Sequence, residues 1–162
     1  MKLVVILNVN PDIKSNAKIC NNREYTRHEL KSILIDGFSG FIEDIVFYDN
    51  FMLFMNESFK HLNDYVLNFD FGYQSRTRNM KVPAFCENYN IKYFNPDPYV
   101  QVLCQDKYMT EKFAENFGIK APKSLLVFLH SYQKELLYSF NYPIIIKPNY
   151  ESESIGITQN SI

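Results

Sequence analysis

A lysine that ends an apolar segment, followed by a polar loop, is the feature of the sequence that most suggests chemistry. The segment YPIIIKPNYESESIG carries its isoleucines up to Lys147 and then supplies Ser152, Ser154 and Gly156. Ligands of open α/β sheets bind beyond the carboxyl ends of the strands, where this ammonium group would project. Serine hydroxyls and backbone N–H groups of such a loop can surround phosphate oxygens. The pattern therefore indicates a phosphate site, and a solvated strand end with an ordinary turn stays open as the alternative.

A second lysine lies where its charge has no obvious structural use. Lys107 follows Asp106, an expected N-cap, so its cation faces the positive end of a helix dipole. Binding an anion would use this cation, and an ordinary exposed lysine is the competing interpretation. The same two interpretations apply to Arg76 and Arg78 in the polar loop GYQSRTRN, which would clamp an anion or simply be solvated.

The composition fits a globular protein without a strongly charged partner. Of its 162 residues, 46% are hydrophobic and 22% charged, which is enough for one core or two small ones. The net charge of -1 gives no support to a nucleic acid or an anionic membrane as partner. The opening MKLVVILNVN holds an apolar run of about seven residues, short of the ~20 of a membrane helix, and is expected to form a strand. A cytoplasmic protein is therefore expected.

The cysteines and histidines lack the spacing of a metal site. They are Cys20, Cys86, Cys104, His28, His61 and His130. The cysteines are far apart and odd in number, so we expect reduced thiols and assign no metal ligands. Cys86 and Cys104 stand among apolar residues and are expected to be buried.

Strands and helices alternate over the first part of the chain. The predicted strands are residues 2–9, 43–48, 64–69 and 91–94, and the predicted helices are 23–36, 51–62 and 82–89. Gly37 is expected to take the left-handed conformation after the first helix. This alternation predicts a parallel sheet with crossover helices.

The segment NPDP, residues 95–98, interrupts this alternation because each proline disfavours a helical conformation in the residue before it. We therefore predict two domains, 1–95 and 96–162. The second would contain helices at 98–104, 107–117 and 131–140 and strands at 124–128 and 143–147. These elements would place Lys107 at the start of a helix and Lys147 at the end of a strand.

Long segments of the chain resemble the D-alanine–D-alanine ligase branch of the ATP-grasp superfamily. The resemblance lies in VLNFDFGYQSRTRNMKVPAFCENYNIKYFNPDPYVQVLCQDKYMTEKFAENFGIKAP and YPIIIKPNYESESIGI, and less specifically in EYTRHELKSIL. It implies an α/β fold in which a parallel-sheet pre-ATP-grasp N-terminal domain precedes an incomplete α+β ATP-grasp subdomain. It also implies a carboxylate–amine ligase that makes an acyl phosphate from a carboxylate and ATP, which an amine then attacks.

The resemblance implies roles for particular residues. The implied ATP-binding residues are Lys107, Lys147, Glu151, Ser152 and Ser154, with the two lysines on the phosphates. Glu24, near the start of the first helix, would seat the first substrate and is the implied catalytic residue. The implied partners are ATP, Mg²⁺ and an amino-acid or small carboxylate substrate, and two copies of the chain would dimerise through the N-terminal domain.

The chain also departs from the family. The family loop reads E-G-S-S-x-G, whereas this chain reads E-S-E-S-I-G, with Ser152 for a glycine and Glu153 for a phosphate-binding serine. A carboxylate about 4 Å from a phosphate charge costs about 4 kcal/mol at an effective dielectric constant near 20. Either Glu153 points to solvent, or the loop does not hold ATP as it does in the family. Related ligases have glutamates at the positions of Phe71 and Asn79, and a glycine at that of Ser75.

The magnesium-binding residues of the family are expected beyond Ile162. Because phosphoryl transfer needs that metal, we expect an N-terminal ligase portion that lacks the magnesium ligands and is inactive alone. The alternative is a non-catalytic binding or dimerisation module derived from such a ligase. The departures from the family pattern favour this alternative.

Overall fold

A computed structural model describes residues 1–7, 27–72, 75–128, 134–151 and 156–162. The chain divides into two compact units, Met1–Val102 and Leu103–Ile162. The parts of the first predicted strand and first predicted helix at residues 8–9 and 23–26 lie outside the described ranges. The predicted domain boundary after residue 95 stays a prediction.

The first unit is built on a four-stranded parallel sheet. Its strands are β1, Leu3–Ile6; β2, Ile45–Tyr48; β3, Tyr65–Asn68; and β4, Lys92–Tyr93. Their order across the sheet is β2-β1-β3-β4, every neighbouring pair is parallel, and Val4 lies opposite Val46 and Val66. All four residues of β1 are buried, as its continuous apolar run predicts for a strand whose two faces are both covered. The predicted parallel sheet is confirmed.

Helices cover the two faces of β1. They are α1, Arg27–Phe38; α2, Phe51–Glu57; and α3, Lys81–Asn88. Successive residues of a strand point to opposite faces, so β1 contributes to two separate clusters. On one face, Leu3 and Val5 pack with Leu30 and Leu34 of α1.

The other face of β1 carries the larger apolar cluster. Val4 and Ile6 pack there with Phe54 of α2 and with Val82 and Cys86 of α3, all of them fully buried. This burial supplies the hydrophobic stabilisation of the unit, since large side chains removed from water contribute about 1.5–3 kcal/mol each.

The regular elements described in the second unit are helical. The helix α4, Pro98–Gln105, begins in the first unit and ends in the second, and α5, Lys107–Asn116, lies in the second; both are close to predicted helices. Short 3₁₀ helices follow at Lys134–Ser139 and Gln159–Ser161. Gly118, with a φ of +76°, takes the left-handed conformation shortly after the end of α5.

The two strands predicted in the second unit are wrong. Residues 124–128 and 143–147 form no strand, because neither pairs with another segment among the described residues. A strand is defined by a backbone partner, which an apolar run does not guarantee. The one backbone hydrogen bond described for these segments runs from Ile146 N–H to the Ser161 carbonyl, at 2.7 Å. Val127 and Ile146 are exposed.

Several smaller predictions also need correction. Gly37 lies inside α1, and Gly40, with a φ of +79°, takes the left-handed conformation after it. The helix predicted at 51–62 is α-helical only to Glu57 and continues as a 3₁₀ helix to His61. The helix predicted at 131–140 is a 3₁₀ helix over its described part. Cys104 is exposed, not buried, whereas Cys86 is buried as predicted.

No helix in the described ranges is both long and apolar enough to cross a membrane.

Candidate functional site

The start of α5 and the segment 148–151 form the candidate site of the second unit. Asp106 is the N-cap of α5, and its Oδ1 accepts a hydrogen bond from the Met109 N–H at 3.0 Å. This is the cap that the sequence predicts, and it fixes the position of Lys107 as the first helical residue.

Lys107 is half-buried, and its ammonium group lies among backbone carbonyls. Its Nζ donates to the carbonyl oxygens of Pro148, at 3.0 Å, and Asn149, at 3.2 Å, and also to that of Glu151. A lysine ammonium group has three N–H donors, so these acceptors match its full capacity. The segment that follows Lys147 is therefore folded around the Lys107 cation.

Asn149 ties the same segment to the helix. Its Oδ1 accepts from the Tyr108 N–H at 2.9 Å, its carbonyl accepts from the Lys107 N–H at 3.3 Å, and its Nδ2 donates to Asp106 Oδ1 at 2.7 Å. The buried side chain of Gln105 adds a hydrogen bond to the Tyr150 carbonyl. The predicted loop thus lies against the first turn of α5.

Lys147 is exposed, and its charge acts on Glu111, one turn along α5 from Lys107. Burial opposes ionisation of Glu111. Hydrogen bonds from Ser124, at 2.5 Å, and Lys112, at 3.1 Å, together with the charges of Lys112 and Lys147, outweigh that effect and lower the pKa of Glu111. The charge of Lys147 is the smallest of these contributions, whereas Lys107 is held at the start of α5 by direct contacts.

The remaining predicted site residues are covered only in part. Glu151 is half-buried and contributes its carbonyl to Lys107. The predicted residues Glu24, Ser152 and Ser154, and the substituted Glu153, lie outside the described residues. Gly156 follows with a φ of +78°, and a Cβ there would lie 2.6 Å from Pro148 Cγ. This loop position therefore requires glycine.

Sequence reasoning missed a buried carboxylate beside the sheet of the first unit. Asp70, two residues after β3, is 4% exposed, and Lys81 Nζ lies 2.8 Å from its Oδ1. The N–H groups of Phe51, at 3.1 Å, and Gly72, at 3.2 Å, also donate to this carboxylate. An aspartate at the carboxyl end of a predicted strand is the signal that could have found it.

The nearby loop is held by its own backbone and side chains. Ser75 has a φ of +74°, a conformation that glycine adopts more readily than serine. Arg78 Nη1 donates to the Ser75 carbonyl at 3.3 Å, and Arg76 is exposed. The predicted anion clamp between the two arginines stays a prediction.

A second buried polar group links β2 to β3. His61 Nε2 lies 2.8 Å from Tyr48 Oη, and its Nδ1 lies 2.9 Å from Asp64 Oδ2. The Tyr48 hydroxyl donates its hydrogen to Glu57 Oε2 at 3.0 Å. Burial, and then the hydrogen bond and charge of Glu57, raise the pKa of Tyr48 to about 12. These contacts join β2, the helical segment that carries Glu57 and His61, and the residue before β3 inside the first unit.

Taken together, a parallel α/β sheet unit and a second unit with a lysine-bearing helix define the class of fold. Two solved structures of D-alanine–D-alanine ligase from Bacillus anthracis share it, one of them complexed with ATP. Their TM-scores are 0.62 and 0.64 at 16% and 17% identity, over 93% and 98% of this chain and 48% of each ligase chain. The likeness at this identity establishes the fold.

Curated relatives carry the same name. A D-alanine–D-alanine ligase of Helicobacter pylori strain Shi470 is 33% identical over 79 residues, or 48% of this chain and 23% of the relative. One from Campylobacter lari is 35% identical over 78 residues, or 48% of this chain and 22% of the relative. No family model matches the chain. The matches confirm the predicted resemblance to these ligases, and they span less than a quarter of each relative.

Proposed function

We propose that this chain provides the lysine-bearing part of the ATP site of a carboxylate–amine ligase of the D-alanine–D-alanine ligase type. The observation that carries the proposal is the position of the Lys107 ammonium group against the segment directly after Lys147. A lysine cation against the segment that directly follows a second lysine would suit a polyphosphate ligand, because phosphate binding depends on charge and N–H donors. The similarity to ligases, one solved with ATP, supports ATP as that ligand.

In the proposed reaction, a carboxylate oxygen of the substrate attacks the γ-phosphorus of ATP. The bond from that phosphorus to the bridging oxygen breaks, and ADP leaves. An amine then attacks the acyl carbon, loses a proton and displaces inorganic phosphate, which leaves an amide. Lys107 and Lys147 would offset the charge that develops on the phosphoryl oxygens. Lys107 must first exchange at least one carbonyl partner for a phosphate oxygen.

Magnesium would neutralise phosphate charge in such a reaction when bound. Across the described ranges, no group of three or more His, Cys, Asp or Glu side chains is placed to hold a metal ion. We derive no step through a magnesium ion. We propose that ligation depends on groups other than those described in this chain.

Binding of ATP to the chain tests the proposal first. ATP at about 100 times its dissociation constant should stabilise the chain by ~2.7 kcal/mol, which raises the melting temperature by about 5–11 °C. Lys147→Met should abolish this shift, whereas the exposed Lys120→Met should retain it. The absence of any ATP-dependent shift in the unsubstituted chain would count against the proposal.

Ligation itself needs a second experiment. The remaining part of a D-alanine–D-alanine ligase is supplied as a separate polypeptide, and amide formation is followed with ATP and amino-acid pairs. Activity that depends on both polypeptides and on Lys147 would support the ligase function. ATP binding without ligation under any of these conditions would limit the function to nucleotide binding.

A non-catalytic binding or dimerisation module is the second candidate function. One specific observation favours it: the Lys107 ammonium group already has three carbonyl partners without nucleotide. This candidate predicts no change of melting temperature with ATP and a dimer in sedimentation equilibrium. A monomer that is stabilised by ATP would exclude it.

A further inference from the structure

The first turn of α5 has acceptors for each of its N–H groups. An α-helix leaves its first N–H groups without partners inside the helix. Here the Lys107 N–H donates to the Asn149 carbonyl, at 3.3 Å, and the Tyr108 N–H to Asn149 Oδ1, at 2.9 Å. The Met109 N–H donates to Asp106 Oδ1 at 3.0 Å. One residue from a distant segment thus caps the helix together with its own N-cap residue.

The amide group of Asn149 fits this place in one orientation. Its oxygen faces the Tyr108 N–H, and its nitrogen faces the Asp106 carboxylate, 43 residues away in the chain, at 2.7 Å. The reversed amide would place two donors together at Tyr108 and two acceptors together at Asp106. An aspartate at this position would lose the hydrogen bond to Asp106, and an alanine would lose the hydrogen bonds to both Tyr108 and Asp106.

We propose that Asn149 is a positioning residue that fixes the segment 148–151 on the first turn of α5 and thereby sets the carbonyl oxygens that surround Lys107. This role concerns the chain without nucleotide. Its consequence for ATP rests on the proposed function: a phosphate must displace carbonyl oxygens that Asn149 holds in place. The N–H groups of the first turn are not available to that phosphate, because Asn149 and Asp106 already accept from them.

Amide hydrogen exchange of the nucleotide-free chain, followed residue by residue by NMR, tests the attachment. In Asn149→Ala, the Tyr108 amide loses its acceptor and should exchange about tenfold faster than in the unsubstituted chain. The matched control is Asn160→Ala, an exposed asparagine of the same unit, which should leave the Tyr108 amide unchanged. Unchanged exchange at Tyr108 in a folded Asn149→Ala chain would overturn the proposal.

A charge exchange between the two side chains keeps the test decisive if Asn149→Ala does not fold. Asn149→Asp places two carboxylates at the 2.7 Å contact and should also expose the Tyr108 amide to exchange. Adding Asp106→Asn removes one of the two negative charges and keeps an oxygen for the Met109 N–H, so the Tyr108 amide of the double variant should exchange more slowly than that of Asn149→Asp alone. Equal exchange in the single and double variants would contradict the proposal. Because no nucleotide is present, these results do not depend on whether the chain binds ATP.

Discussion

The Lys107 ammonium group lies 3.0 Å from the carbonyl oxygen of Pro148, the residue directly after Lys147. The contact joins positions 41 residues apart and brings the two lysines of the sequence pattern into one region of the second unit. A cation enclosed by carbonyls orders the backbone around it, because each carbonyl would otherwise need water or another donor. Lys107 therefore has a structural role that is separate from any role toward phosphate.

Lys107→Met should destabilise the second unit before any ligand is added. Hydrogen bonds from charged donors contribute about 1.5–3 kcal/mol, and the methionine has no donor for the three carbonyls. We expect a loss of this order in the free energy of unfolding, measured by urea titration with a probe in the second unit. The control Lys120→Met should change it by less than about 0.5 kcal/mol. Equal stability of the two variants would mean that the carbonyl contacts contribute nothing.

Gly156→Ala should be more destabilising than Gly118→Ala. Both glycines are left-handed, with φ of +78° and +76°, so an alanine at either costs about 1 kcal/mol of backbone strain. At Gly156 the new Cβ also meets Pro148 Cγ at 2.6 Å, whereas at Gly118 nothing lies within 4 Å. We expect Gly156→Ala to cost at least about 1 kcal/mol more than Gly118→Ala in urea unfolding. A smaller or reversed difference would show that the proline moves freely.

The first unit could be predicted from the sequence in most of its elements. The apolar run of β1 and the alternation after it set the parallel sheet, because burial on both faces requires such a run. In the second unit, the runs 124–128 and 143–147 look equally strand-like, but a strand also needs a partner, which periodicity does not reveal. The position of Lys107 at a helix start was predictable from Asp106. Its carbonyl partners were not, since they come from a segment distant in sequence.

The hydrogen-bond partners of the polar side chains were likewise not predictable, because they come from segments distant in sequence. Nothing in the local sequence distinguishes Asn149 from any other loop asparagine, and its three contacts depend on the tertiary fold. Asp70 could have been noticed at the end of a strand, but its partner Lys81 lies on the following helix. Apolar neighbours in sequence correctly placed Cys86 and misplaced Cys104, because the latter lies on the solvent side of α4.

The two described cysteines should therefore differ in reactivity. Cys104 is exposed, whereas Cys86 is fully buried and its burial raises the pKa of the thiol to about 12. Since the thiolate is the reactive form, a maleimide should modify Cys104 in the folded chain and leave Cys86 unmodified. Peptide mass spectrometry after brief labelling measures both sites. In guanidinium chloride both should react, and equal labelling of both in the folded chain would contradict the described packing.

The stability of the first unit should fall in acid partly because of Asp64. Burial opposes ionisation of this carboxyl, but hydrogen bonds from His61, at 2.9 Å, and from the Lys2 N–H, at 2.8 Å, outweigh it and lower the pKa of Asp64. A lowered folded-state pKa contributes stability that is present above the unfolded value of about 3.9 and is lost as the pH falls through the folded value. Asp64→Asn removes this contribution.

Urea titrations between neutral and acidic pH measure the free energy of unfolding and test whether the contribution of Asp64 is lost as the pH falls. The unsubstituted chain should lose stability more steeply below about pH 4 than Asp64→Asn, because only the former must protonate this carboxylate. The control Asp97→Asn, at a carboxylate outside the His61 network, should keep the steep acid limb. Parallel curves for the chain and for Asp64→Asn would show that the His61 and Lys2 contacts do not hold Asp64 in its ionised form.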